Sequence, residues 1–297
     1  MKMRALVIAM AYLAFASVAW AQQMADPDVD LTVAAPAFAA EAGPRVVIDG
    51  AHHNFHTVDG RYAPFAQLLR NDGFRVSGST AAFTDEGLAN VEVLVIANAL
   101  AAEDVEEWRT PNPSAFTAEE IAAVRRFVER GGALLLIADH MPFGGAAQDL
   151  GAAFGVTFDN GFATDQNNQP DVFTRQNGGL ADDPLLANIQ QVRTFTGSAF
   201  RAPQARPLLR LDERYEVLLP EVAWEFSDET ARVSGAGRLQ GAVLEIGSGR
   251  VAVFGEAAMF TAQIAGPQRI PTGLRAPGAE ENKAFALTVV RWLGRAS

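Results

Sequence analysis

Four histidines are the whole imidazole content of this 297-residue chain, and three of them, His52, His53 and His56, fall within five residues. They occupy the loop after RVVID (Arg45–Asp49), and the fourth, His140, follows ALLLIAD (133–139). Both apolar runs read as buried strands closing on an aspartate, Asp49 or Asp139. Neutral imidazole with carboxylate is a common ligand set for zinc and its neighbours. Asp49, His52, His56 and His140 are therefore the candidate metal ligands. A divalent metal such as zinc is the candidate cofactor, with an open position to activate water. The same residue types move protons near neutral pH. In that role the candidates are His53, Asp139, His140 and Glu256, the last ending the apolar run VAVFGE. The spacing matches no known zinc signature. Without metal, these residues would hydrogen-bond to one another and to loop backbone, or hold a polar ligand.

His140 also sits where a nucleophile elbow would, at a strand end followed by Pro142, Gly144 and Gly145. The chain has no cysteine, and no serine fills that turn, so a Ser or Cys triad at this elbow is unsupported. Asn98 closes another apolar run. Arg61, Arg175 and Arg201 lie near polar loops and could hold an anionic substrate. Trp108 and Phe143 could flank a sugar or aryl ring.

The elements that must position these groups alternate. Strands are expected at 45–49, 75–79, 91–97 and 133–139, with helices near 62–71 and after Thr117. Thr117 with Glu120 forms a capping box, and Ile121, Val124, Phe127 and Val128 make one helical stripe. Strand–helix alternation with apolar strands implies crossover units and a parallel sheet. In such sheets ligands bind at the carboxyl ends of the strands. Beyond Asn160 the pattern loosens, and 164–183 reads as a long loop. Residues 241–255 read as a hairpin through Gly247-Ser248-Gly249, and 281–293 as a closing helix. The expected fold is therefore α/β, a flavodoxin-like three-layer sandwich with a mainly parallel sheet, plus this hairpin and helix.

Residues 1–21 read as an export signal: Lys2 and Arg4, an apolar core, then Ala19-Trp20-Ala21. Residues 22–43, rich in Ala, Pro and Asp, read as a flexible leader, and 44–297 as one domain. The chain is expected to be exported, periplasmic or secreted, and not membrane-embedded. Its formal charge is −11, which disfavours nucleic acid, because that binding draws on basic patches.

Several blocks carry a resemblance. Asp49-x-x-His52-x-Asn54, FTAEEIAAVRRFVERGGALLLIAD (116–139), GSGRVAVFGEAAMFTAQ (247–263) and ENKAFALTVVRWL (281–293) resemble the DUF4350 family of unknown function. That family is related to the gliding- and flippase-associated domain, and the blocks span most of 44–293. The resemblance implies a class I glutamine amidotransferase-like fold. That enzyme class carries a cysteine at the elbow, so its absence argues against a glutaminase. The chain is also similar to ThuA-like sugar-related proteins in having a histidine near the elbow. The function expected is a hydrolase-like enzyme using the His/Asp cluster, with or without metal. The alternative is a non-catalytic module binding a small molecule, a carbohydrate or a cell-envelope partner.

Overall fold

The computed structural model describes residues 23–167 and 170–296. The expected export signal lies outside the described residues. The first strands are β1 (Met24–Ala25), β2 (Arg45–Asp49), β3 (Arg75–Ser79), β4 (Val93–Ala97) and β5 (Ala133–Ile137). Helices α1 (Ala63–Asn71), α2 (Ala118–Glu129), α3 (Phe143–Ala146) and α4 (Gln148–Ala152) belong to the same half. Then come β6 (Thr157–Asp165), β7 (Val172–Thr174), β8 (Gln191–Arg193), β9 (Gly197–Arg201), β10 (Arg206–Arg210), β11 (Tyr215–Leu219) and β12 (Ala231–Ser234). The chain closes with β13 (Leu239–Ile246), β14 (Gly249–Phe254), β15 (Ala262–Ala265), β16 (Ile270–Gly273) and α5 (Asn282–Leu293).

Eleven strands make one sheet, in the order β12-β11-β6-β9-β13-β14-β5-β4-β2-β3, with β10 paired to β13. Five neighbours, β14, β5, β4, β2 and β3, run parallel. Their burial explains their sequences: every residue of β4 and β5 is buried. One face packs Val46, Ile48, Val95 and Leu135 against α1 and α5. The other packs Leu94, Ile96, Leu134 and Leu136 against α2 and α4. The Thr117–Glu120 capping box starts α2 as its sequence requires.

The expected flavodoxin-like three-layer sandwich with a mainly parallel sheet is overturned. Among the described residues, six strand pairings in the large sheet are antiparallel and four are parallel. Helix accounts for only 19%, too little to cover both faces of eleven strands. The cause lies after Asn160, where strand follows strand with no α-helix until α5. Strands joined by turns need no crossover and pair antiparallel. Between β5 and β6 the chain makes only the two short helices α3 and α4, separated by Ala147.

Residues 23–43 are also not a loose leader. β1 pairs with β15, Phe38 meets Phe74 edge-on at 5.1 Å, and the Ala37 N–H donates to Asp72 at 2.8 Å. Leu31, Val33 and Phe38 pack on the core. Three apolar residues spaced irregularly among Pro and Ala can cover a core edge without producing any period.

Candidate functional site

Four parallel strands deliver polar residues past their carboxyl ends: β2 the histidine loop, β4 Asn98, β5 Asp139 and His140, and β14 Glu256. His56, Asn98, Asp139, His140, Glu256 and Gln263 line one cavity of about 80 Å³. Phe55, Phe143, Phe195 and Trp224 supply its aromatic wall. Two distant histidine segments thus meet at one mouth of the sheet, through His56 and His140.

The two carboxyl groups in the cavity are buried and have no Lys or Arg ion pair among the described residues. Asp139 accepts the main-chain N–H groups of His140 at 2.8 Å and Ala257 at 3.3 Å. Glu256 accepts those of Ala258 at 2.7 Å and Met259 at 2.8 Å. Burial raises the Asp139 pKa. Burial, with the charge of Asp139 behind it, drives Glu256 well above the ordinary carboxylate range. Glu256 is therefore the better proton holder of the two.

His140 is fixed by its surroundings. Its Nδ1 lies 2.7 Å from the Met141 carbonyl, an acceptor only, so Nδ1 carries hydrogen and the neutral ring's lone pair is on Nε2. The ring stacks on Phe162 at 4.8 Å, nearly parallel, and meets Trp224 edge-on at 4.7 Å. Trp224 is 46% exposed and adopts φ +68°, an uncommon backbone for a bulky side chain.

His56 lies deeper. Its Nδ1 is 3.3 Å from Asn98 Nδ2, and its Nε2 is 3.0 Å from the Gln263 amide. Burial, with the Arg61 and His140 charges behind it, lowers its pKa to about 3. Asn98 is itself locked, because its Oδ1 accepts the Asp139 main-chain N–H at 3.0 Å.

The other two expected histidines do not reach the cavity. His52 Nδ1 is 2.8 Å from Asp49 Oδ2, and its Nε2 is 2.9 Å from Glu120 Oε1. The ring lies between Phe83 and Phe116, at 4.6 and 4.7 Å. Burial alone would lower its pKa, but bonds to and charges of Asp49 and Glu120 outweigh burial and raise it. Burial likewise opposes Glu120 ionising, yet bonds from Thr117, His52 and Phe83 bring it to about 2. The trio is an ionic clamp between the β2 loop and the start of α2. His53 is exposed, with φ +46°, and joins neither group.

The four expected metal ligands therefore divide. Asp49 and His52 spend their bonding atoms on the clamp, while His56 and His140 face the cavity. Among the described residues no group of three or more His, Asp or Glu is arranged around an ion position. Ring ¹⁵N NMR should read this division directly. His52 is expected to titrate above the ordinary 6.5, and His56 to stay neutral down to about pH 5. A His52 titrating below 6.5, or a His56 titrating near 6.5, would contradict it.

Other singled-out residues hold the walls. Arg61 lays its guanidinium 3.7 Å over the Phe55 ring and donates to the Phe55 and Gln23 carbonyls. Trp108 meets Phe55 and Phe143 edge-on. Arg175 donates to the Leu186 and Ile189 carbonyls and makes no site, and Arg201 is exposed. Nothing in the residue pattern marks Glu120 as a histidine partner, nor Gln263 and Thr272 of the small sheet β1-β15-β16 and Gln23 just ahead of it, which reach the cavity. A helix cap and three uncharged side chains carry no chemical signature.

No protein-family profile matches the chain. No curated protein matches it either. Among solved structures it is similar to the mmIFT52 N-terminal domain at 16% identity and TM-score 0.59, covering 84% of this chain and 97% of that one. Cytoplasmic protein STM3548 from Salmonella typhimurium aligns at 10% identity and TM-score 0.51, covering 84% and 98%. A protein described as ThuA-like from Bacteroides uniformis aligns at 13% identity over 90% and 94%, with TM-score 0.47. The first two likenesses are of fold alone. No helix of the described residues is long and apolar enough to cross a membrane.

Proposed function

We propose that the protein is an exported hydrolase in which His140 activates water and Glu256 donates the proton to the leaving group. One observation carries this reading: two carboxyl groups, Asp139 and Glu256, are buried in one strand-end cavity with no Lys or Arg partner among the described residues. Burying such groups costs several kcal/mol each in real proteins, and strongly perturbed acids in a cleft are the mark of acid–base sites. His140 Nε2 takes a proton from water, and the hydroxyl adds to the electrophilic carbon of the substrate. Glu256 gives its proton to the leaving atom as that bond breaks. The proton on His140 then returns through solvent to Glu256. The negative charge of Asp139 favours the imidazolium that forms. No metal enters the scheme, because the ligand set expected for one is split between the clamp and the cavity.

The test is turnover by the purified protein on a panel of esters, amides and glycosides. A proton donor acts only while protonated, so activity should persist above the ordinary carboxylate range and fall as pH rises through the raised Glu256 value. Glu256→Gln should lower it about 10²-fold, the low end of what a positioned acid contributes. Undiminished activity in that variant sinks the assignment. No turnover on any member, with the fold intact, returns the site to the non-catalytic binding module.

A further inference from the structure

The polar chain behind the cavity sets the direction of every hydrogen bond in it. Asn98 Oδ1 accepts from the Asp139 main chain, so its Nδ2 must face His56, and His56 Nδ1 must accept. A neutral imidazole then carries its one hydrogen on Nε2. A buried N–H needs an acceptor, and what lies 3.0 Å away is the Gln263 side-chain amide. The two ends of an amide are told apart by their bonds. With its nitrogen toward His56, two donors face each other and Oε1 is buried without a partner. With its oxygen toward His56, that conflict ends, and the amide NH₂ becomes the unpartnered end. Gln263 is fully buried and lines the cavity. Its strand, β15, is paired on both sides, with Ala25 opposite in β1 and Thr272 opposite in β16, so the amide is held from a rigid base.

We propose that the Gln263 amide NH₂ is a hydrogen-bond donor for the substrate's carbonyl oxygen, and that the substrates are acyl compounds, esters or amides, rather than glycosides. This rests on the hydrolytic reading of the site. An acetal carbon carries no carbonyl oxygen on which negative charge could develop, so a preplaced donor of this kind would not speed its hydrolysis. At a carbonyl carbon, addition of hydroxide moves the C=O π electrons onto oxygen, and a preplaced donor stabilises that charge. Collapse of the tetrahedral intermediate re-forms the C=O bond and expels the leaving atom with the Glu256 proton. Gln263 exchanges no proton in either step. The cavity volume fits an acyl head of a few heavy atoms: about 80 Å³, against the roughly 150 Å³ that admits a benzene ring.

Two measurements on the full chain test this. The first needs no turnover. Ring ¹⁵N NMR should place the His56 hydrogen on Nε2, and acetamide as probe should shift the Gln263 side-chain NH₂ signals. A hydrogen on Nδ1, or NH₂ signals that acetamide leaves unmoved, overturns the proposal. The second is kinetic. On an acyl substrate from the panel, Gln263→Leu should lower kcat by about 10²–10³-fold with little change in KM, as for loss of one oxyanion donor. Gln263→Met serves if the leucine variant does not fold. An unchanged kcat overturns the proposal, as does turnover confined to glycosides, which leaves the hydrolase reading standing. Absence of all turnover counts against that reading alone, and the NMR result then decides this one.

Discussion

Replacing His52 by alanine is expected to cost the fold about 3–5 kcal/mol, the usual penalty for removing one partner of a buried ion pair. Asp49 is fully buried and Glu120 nearly so, and the imidazolium is the counter-charge the clamp supplies to both. At 2–4 °C per kcal/mol for domains of this order of size, the melting temperature should fall by roughly 10 °C. The loss should depend on pH in a defined way. The His52 pKa is raised in the folded state, so its contribution is complete below the ordinary 6.5 and fades as pH rises through the folded value. The Glu120 pKa is lowered from 4.5 to about 2, so its contribution is complete above 4.5 and fades as pH falls toward 2. The gap between parent and variant should therefore be widest between about pH 4.5 and 6.5. A variant melting within about 2 °C of the parent throughout that window would show that the clamp bears no load.

The largest effect on activity is expected from His140→Gln, a loss of about 10²–10⁴-fold, the range a positioned general base contributes. Stability should change much less. His140 is half-buried, and its ring contacts are with Phe162, Trp224, Phe143 and Trp108 rather than with a buried charge partner. The one hydrogen bond its ring makes among the described residues, to the Met141 carbonyl, can be re-formed by a glutamine NH₂. The decisive comparison is kcat against thermal melting for the same variant. A kcat within about threefold of the parent on the best panel substrate would remove His140 as the base. A collapse of melting temperature in step with kcat would recast it as a packing residue.

The first half of the fold could be read from residue patterns because each element carries its own signal. β2, β4 and β5 are short apolar runs, and α2 has a capping box and a stripe. The antiparallel wing carries no such signal. β12, ARVS, is almost wholly exposed, and β6 mixes buried and half-buried residues without alternation. Its strands are fixed by partners far along the chain. The placement of the candidate site's residues was legible in the same proportion. His56, Asp139, His140 and Glu256 sit at strand ends, where residue type and position agree. His52 could not be assigned to the clamp from sequence, because Glu120 lies 68 residues away and already has a capping role. His53 differs from its neighbours only in which way the loop turns. Gln263 has no charge and no motif, and only its bonding partners reveal it.

The small sheet has a practical bearing on how the protein should be produced. Gln23 and Gln263 share one wall of the cavity, and Ala25 pairs with Gln263. A purification tag joined directly ahead of Gln23 would therefore begin at the rim of this cavity and compete with whatever enters it. Arg295, by contrast, borders a hollow with Pro44 and Gly131, beside the starts of β2 and β5 at the far pole of the sheet. Handles for capture or immobilisation belong at that end.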